Sequence, residues 1–132
     1  MKENYIAVEL DLHRSEFGKY LLAHYDILEE IYHSENSQIF KIKQLGSNNI
    51  RVLKAIKKRP FINFDLDGFQ KIRHEHIVLV DQTGESEHFF YMLMEYIDGT
   101  TLETAVENSG PCSTELVQKY IQQIYQALQY LH

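Results

Sequence analysis

The first half of the chain carries the hydrophobic pattern of β-strands. Apolar and polar residues alternate over residues 38–43, and residues 25–31 and 51–58 are rich in aliphatic and β-branched side chains. Polar runs at 33–37 and 46–49 separate these stretches, and the second contains the turn-forming sequence Gly-Ser-Asn-Asn. The pattern predicts three strands joined by two hairpins.

A short helix and two more strands are predicted next. Leu66, Phe69 and Ile72 recur at helical spacing, which predicts a short helix from about Asp65. Apolar runs at 77–80 and 89–94 flank a polar turn at 83–87 and predict the remaining two strands.

The last third of the chain has helical periodicity. Thr100 and Glu103 form a capping-box pattern, and Gly110-Pro111 predicts the end of that helix. The final helix is expected to begin near Ser113. Its apolar positions form one broad face, made of Leu116, Tyr120, Ile121, Ile124, Ala127, Leu128 and Leu131.

Residues 1–24 are interpreted as an N-terminal extension that packs on the domain. They hold an apolar patch from Tyr5 to Leu12 and a possible short helix from Ser15 to Ala23, with Ser15 as its cap. Together the elements predict an α+β fold: a five-stranded antiparallel sheet with one short helix, followed by two helices.

Composition and charge argue against some classes of partner and indicate a cellular compartment. The 132 residues carry a net charge of −6, which argues against a nucleic-acid partner. The single cysteine, Cys112, fits a reducing compartment. No apolar stretch approaches the length of a membrane span, and the first residues lack a signal-peptide pattern. We therefore expect a cytoplasmic protein without a membrane partner.

One predicted strand carries candidate chemistry. Strand alternation places Val52, Lys54 and Ile56 on a common face. An ammonium group among aliphatic side chains needs an anion, and the pattern leaves open whether this is a surface carboxylate or a nucleotide phosphate.

Several segments resemble a known family. The strand at 52–56 is similar to the one that carries a phosphate-binding lysine in eukaryotic-type protein kinases, and residues 91–99 are similar to the strand and hinge that contact adenine. The segment 74–78 and the final helix at 126–132 also resemble that family, closest to bacterial serine/threonine kinases. The resemblance implies a kinase-like N-lobe at 25–97 and hinge-following helices of a truncated C-lobe at 98–132.

The resemblance also implies a site for ATP. Lys54 would hold the α- and β-phosphates, and Met94 would stand at the back of the adenine slot. The remaining positions implied are the slot residues Ile31, Ile39 and Val52 and the backbones of Glu95 and Ile97.

The sequence departs from the family pattern in three places. Tyr32, Ser34 and Ser37 stand where the family has glycines over the phosphates. No glutamate lies between residues 60 and 74, so Asp65 is the ion-pair candidate for Lys54, or Lys54 is unpaired. Lys57 is the alternative phosphate lysine, but Lys54 is favoured because aliphatic residues flank it on the strand.

The 132 residues contain neither a His-Arg-Asp segment nor an Asp-Phe-Gly segment. The implied proton acceptor and magnesium ligands are thus absent, and we expect no catalytic competence from this chain alone. Two hypotheses remain: the nucleotide-binding N-terminal part of a serine/threonine kinase that phosphorylates protein, or a degenerate kinase-like module that binds a protein partner. The apolar face of the final helix predicts a homodimer. His74 and His76 are interpreted as ordinary surface or capping residues rather than metal ligands.

Overall fold

The computed structural model describes residues 7–132, which form two compact units. The first contains the described residues through Ile72 together with Leu79–Tyr96, and the second contains Arg73–Val78 and Ile97–His132. Tyr5, part of the predicted apolar patch, lies outside the described residues. No helix within residues 7–132 is long and apolar enough to cross a bilayer.

The first unit is built on the predicted five-stranded antiparallel sheet. The strand order is β1-β2-β3-β5-β4, with every neighbouring pair antiparallel. The strands are β1 (Tyr25–His33), β2 (Ser37–Gln44), β3 (Ile50–Lys57), β4 (Val80–Glu85) and β5 (Phe89–Glu95).

The position of the fourth strand differs from the one predicted from the sequence. It was predicted over residues 77–80 but spans Val80–Glu85. The backbone N–H of Ile77 donates to the His74 carbonyl at 3.1 Å, so the aliphatic run begins in a turn instead. β4 lies at the sheet edge, where polar residues are tolerated, and its Asp81 forms an ion pair with Arg51.

Two N-terminal helices complete the core of this unit. α1 (Val8–Arg14) and α2 (Glu16–His24) meet at Ser15, whose hydroxyl accepts a hydrogen bond from Gly18 N–H at 3.0 Å and caps α2 as predicted. Their buried residues pack on one side of the sheet, which we call the helix-covered face. That face consists of Phe40, Ile42, Leu53, Ala55, Tyr91 and Leu93, and the helix residues against it are Val8, Leu12 and Leu21.

The short helix α3 (Leu66–Lys71) lies on the opposite side of the sheet. The side chain of Gln70 donates a hydrogen bond to the Thr83 hydroxyl at 2.7 Å. Thr83 stands opposite Met92 in the sheet, whereas its neighbour Gly84 stands opposite Tyr91 of the helix-covered face. Strand alternation therefore separates α3 from α1 and α2.

The second unit contains α4 (Leu102–Ser109) and α5 (Thr114–Leu131). Helix α5 begins near Ser113 as predicted, with the Ser113 side chain as its cap, but the cap of α4 is Thr101 and not Thr100. The Thr101 hydroxyl accepts from the N–H of Thr104 at 3.1 Å, which shifts the helix start by one residue.

Residues 73–78 pack against α5. The Tyr130 hydroxyl accepts a hydrogen bond from the N–H of Arg73 at 3.0 Å, and His76 Nε2 lies 3.1 Å from the side-chain oxygen of Gln126.

Candidate functional site

Three adjacent strands place Lys54 in a row of apolar side chains. Ile39 of β2 stands opposite Lys54, and Lys54 in turn stands opposite Met92 of β5. Residues directly opposite in antiparallel strands project from the same side of the sheet. The ammonium group therefore leaves the sheet between an isoleucine and a methionine.

A second row lies two residues along the same strands. Val52 pairs with Met94 on β5, and it is 7% exposed. We call this side of the sheet the Lys54 face, defined by Ile39, Val52, Lys54, Met92 and Met94. It brings together four of the residues that the sequence singled out, and it places the Lys54 cation among apolar side chains.

Among the described residues, Lys54 has no partner of opposite charge. Its side chain is half-buried, and it makes no hydrogen bond or ion pair with any residue in 7–132. A cation held beside apolar side chains is more stable with a hydrogen-bonded anion than without one. The face can therefore accept an anionic group at Lys54.

Of the two alternatives for Asp65, the structure favours the one in which it is not paired with Lys54. The Asp65 carboxylate accepts a hydrogen bond from the N–H of Gly68 at 3.0 Å and caps α3. No ion pair joins Asp65 to Lys54 among the described residues. The physical reason is local, because an aspartate at the start of a helix is held by the free N–H groups of the first turn.

The structure distinguishes the two candidate lysines. Lys57 stands opposite Phe89, three positions after Lys54 on β3, so the pleat directs it to the same side as Leu53 and Ala55. Lys54 alone of the two shares a face with Val52 and Met94. This placement supports the choice of Lys54 made from the sequence.

The segment after Met94 supplies backbone groups. The N–H of Glu95 donates to the Leu79 carbonyl at 3.0 Å, so this N–H is not available to a ligand. Ile97 belongs to the second unit and is 58% exposed, and its role stays a prediction.

Ile31 is the least enclosed of the predicted slot residues. It lies at a register shift between Glu30 and Tyr32 and is 45% exposed. A bulge of this kind bends the strand and changes the direction of its side chains.

The turn between β1 and β2 is closed upon itself. The N–H of Ser34 donates to the Ser37 carbonyl at 2.8 Å, and the N–H of Ser37 donates to the Ser34 hydroxyl at 3.2 Å. Tyr32, at the first of the positions where the family has glycine, is 53% exposed. The N–H groups of Ser34 and Ser37 are hydrogen-bonded within the turn and are not free to bind phosphate oxygens.

Sequence reasoning missed two residues of this region. Met92 is the cross-strand partner of Lys54, and its position two residues before Met94 on a strand was the available signal. Lys41 stands opposite Val52, and its ammonium lies 4.9 Å from the centre of the Tyr96 ring. A second cation thus lies beside the Val52 row, held by an aromatic ring.

The paired histidines of the second unit contact each other and α5. The rings of His74 and His76 are 5.4 Å apart, and the His74 ring is 5.2 Å from that of Tyr130. Within residues 7–132 no group of three metal-binding side chains is found.

Known proteins match both the sequence and the fold. A probable serine/threonine-protein kinase of Dictyostelium discoideum is 30% identical over 124 residues, covering 84% of this chain and 24% of its own length. CBL-interacting protein kinase 9 of rice is 28% identical over 91 residues, covering 69% of this chain and 19% of its own length. The chain thus spans a quarter or less of these two relatives.

A solved structure shows the same fold. The crystal structure of Rad53 1-466 in complex with AMP-PNP aligns with a TM-score of 0.76 at 22% identity, over 93% of this chain and 33% of that one. The family model described as the protein kinase domain matches residues 25–132. This chain therefore belongs to the protein kinase domain family.

Proposed function

We propose that this chain is the nucleotide-binding, N-terminal part of a serine/threonine protein kinase, with ATP bound on the Lys54 face. The observation that supports the proposal is Lys54, which lies between Ile39 and Met92 and is unpaired within residues 7–132. The relative from Dictyostelium is a probable serine/threonine kinase, and the Rad53 structure was solved with AMP-PNP, which supports the same ligand class.

The residues of the Lys54 face divide the work of binding. Met94, which is half-buried, offers an apolar surface for the adenine ring beside the buried Val52, and the Glu95 carbonyl can accept a hydrogen bond from the amino group of adenine. The Lys54 ammonium neutralises phosphate charge.

Phosphoryl transfer to a protein substrate needs groups that these 132 residues do not contain. No His-Arg-Asp or Asp-Phe-Gly segment is present to supply a proton acceptor and magnesium ligands. We therefore propose binding without catalysis for this chain by itself, in a cytoplasmic setting. The two relatives are eukaryotic, and a bacterial origin stays a prediction.

Thermal denaturation with and without ATP and magnesium tests the proposal. A ligand that binds only the folded state raises the melting temperature, so wild type should show a rise at millimolar ATP. Lys54→Ala should lose the rise and Lys57→Ala should keep it. An equal rise in Lys54→Ala would overturn the role given to Lys54.

A degenerate kinase-like module that binds a protein partner is the second candidate. The closed Ser34–Ser37 turn and the use of Asp65 as a helix cap favour it, because both remove groups expected to organise bound phosphate. No rise in melting temperature at millimolar ATP would favour this candidate over the first.

For the 132-residue chain we also propose a homodimer formed through α5. Only Glu115 and Lys119 are charged among its 18 residues, so two copies can approach without strong like-charge repulsion. The exposed apolar side chains that would pair are Ile121, Ile124, Leu128 and Leu131, each between 49% and 61% exposed.

Light scattering at tens of micromolar tests the dimer. Wild type should have the mass of two chains, and the double variant Ile124→Glu, Leu128→Glu should have the mass of one. A monomeric wild type would contradict the proposed dimer without bearing on ATP binding.

A further inference from the structure

The helices α1 and α2 lie before the segment matched by the kinase family model, yet they supply part of the core. The family match begins at residue 25, whereas Val8, Leu12 and Leu21 are each 1–2% exposed. They belong to the same buried cluster as Leu53 and Leu93 of the central strands. Helices α1 and α2 are therefore part of the folded unit.

The positions that these helices cover alternate with those of the Lys54 face. Leu53 and Ala55 flank Lys54 on β3, and Leu93 lies between Met92 and Met94 on β5. A strand is stiff along its pleat, so fixing alternate residues on one side fixes the direction of those between them. The helices thus constrain the side chains that leave the opposite side.

A buried polar contact anchors α1 to the central strand β5. The Tyr91 hydroxyl donates a hydrogen bond to Asp11 Oδ2, and the two residues are 0% and 3% exposed. Burial, with the Asp11 carboxylate beside it, raises the pKa of Tyr91 above its usual range. Tyr91 stands opposite Ala55, one residue from the Lys54–Met92 pair.

An aromatic contact from α2 reaches the same residue. The Phe17 ring stacks on the Tyr91 ring with centroids 5.4 Å apart. Gly84, opposite Tyr91 on β4, leaves room for Phe17, because a Cβ at Gly84 would lie 2.2 Å from the Phe17 ring. Both helices therefore converge on Tyr91, and a larger residue at position 84 would displace the contact.

We propose that α1 and α2 act as a positioning element for the Lys54 face, with the Asp11–Tyr91 hydrogen bond and the Phe17–Tyr91 stack as its two anchors. The proposal deepens the nucleotide-binding function proposed above and rests on it. Asp11 and Phe17 are positioning residues, since both act through Tyr91 on the side of the sheet opposite Lys54.

Methionine methyl signals report directly on this effect. The chain has three methionines, and two of them, Met92 and Met94, lie on the Lys54 face. NMR of protein labelled at the methionine methyl groups follows these two residues with and without ATP and magnesium. Measurements are made well below the melting temperature of each variant, so that the folded state alone is compared.

Asp11→Ala is the principal variant, and Ser47→Ala is its matched control. Ser47 serves the turn between β2 and β3, where its hydroxyl accepts from the N–H of Asn49 at 3.1 Å, so its loss weakens the same unit away from Tyr91. We expect Asp11→Ala to shift both methyl signals more than Ser47→Ala does, without nucleotide. We also expect its ATP affinity to fall about fivefold.

Asp11→Asn keeps a hydrogen-bond acceptor for the Tyr91 hydroxyl and should restore both the signals and the affinity. If Asp11→Ala does not fold, the same measurements on Phe17→Leu test the positioning role. This variant keeps an apolar side chain but loses the stack on the Tyr91 ring. Signals and affinity that match those of Ser47→Ala would overturn the positioning role.

The design separates this inference from the proposed function. If the methyl signals of wild type do not respond to ATP and magnesium, nucleotide binding on the Lys54 face is contradicted. The positioning role is then decided by the nucleotide-free signals of the variants, which do not depend on ATP.

Discussion

The two faces of the central sheet differ in the burial of their side chains and in whether their charged groups have partners. Leu53 and Lys54 are neighbours on β3, but Leu53 is 1% exposed in a closed core while Lys54 is half-buried and unpaired within residues 7–132. On the helix-covered face even the buried Asp11 has its hydrogen bond from Tyr91. A closed apolar core with a hydrogen-bonded buried carboxylate indicates a face that stabilises the fold, and an unpaired cation beside apolar side chains indicates a face that binds.

The largest effect is expected from Leu53→Ala on the helix-covered face. Removing this buried side chain should lower the free energy of unfolding by about 2–5 kcal/mol, through lost burial and the cavity left behind. Urea denaturation measures the change. Leu45→Ala is the control, because Leu45 is 45% exposed and should change stability much less. Equal losses in the two variants would break the distinction between the faces.

A smaller effect is expected from Asp65→Ala. Loss of the hydrogen bond from Gly68 N–H should cost about 0.5–2 kcal/mol, felt mainly as fraying of α3. Hydrogen exchange of the amides in Leu66–Lys71 measures the fraying. ATP affinity should stay within about twofold of wild type, because Asp65 does not pair with Lys54. A tenfold loss of affinity would revive the ion pair.

The smallest effect concerns the open end of the sheet at β1. Glu30 stands opposite Phe40 of the helix-covered face but is exposed, so the cover given by the helices stops at β2. The pKa of Glu30 is lowered mainly by the hydrogen bond from the Gln38 side chain, at 2.5 Å. A hydrogen bond with the His33 ring lowers it further. Gln38→Ala should therefore raise the Glu30 pKa, as followed by NMR titration, with Glu29 as the internal reference.

The sign of the pH effect follows from the lowered pKa. A carboxyl group whose pKa is lower in the folded state adds stability above its unfolded pKa, and this is lost as pH falls through the folded value. Gln38→Ala should thus reduce the acid-side dependence of stability, by a small amount because Glu30 is exposed to solvent. An unchanged Glu30 titration would show that the contact is not maintained in solution.

Most of the sheet could be predicted from sequence because its strands alternate or are strongly apolar. The bounds of the fourth strand could not, since Asp81, Gln82 and Thr83 at a sheet edge are polar and do not stand out as a strand when the neighbouring strands are unknown. The predicted cap Ser15 and the predicted helix start near Ser113 are confirmed, because a helix start depends on residues three apart in sequence.

The candidate site was predictable only as far as it depends on one strand. Strand alternation was enough to group Lys54 with Val52. Placing Met92 beside them required the register of β5 against β3. The role of Asp65 depended on a choice between a local cap and a distant lysine, which sequence could not weigh. The contribution of α1 to the core was signalled by Val8, Asp11 and Leu12 at helical spacing, and it became specific only once Tyr91 was known to face them.

The central claim is that the phosphates of ATP bind to Lys54 and not to Lys57, which lies on the opposite face of the sheet. Calorimetric titration of wild type, Lys54→Ala and Lys57→Ala with ATP and magnesium tests it most directly. Loss of one charge-assisted contact to phosphate should weaken binding by about tenfold or more in Lys54→Ala, and Lys57→Ala should stay within about twofold of wild type. Equal affinities for the two variants, or no binding by wild type, would contradict the account.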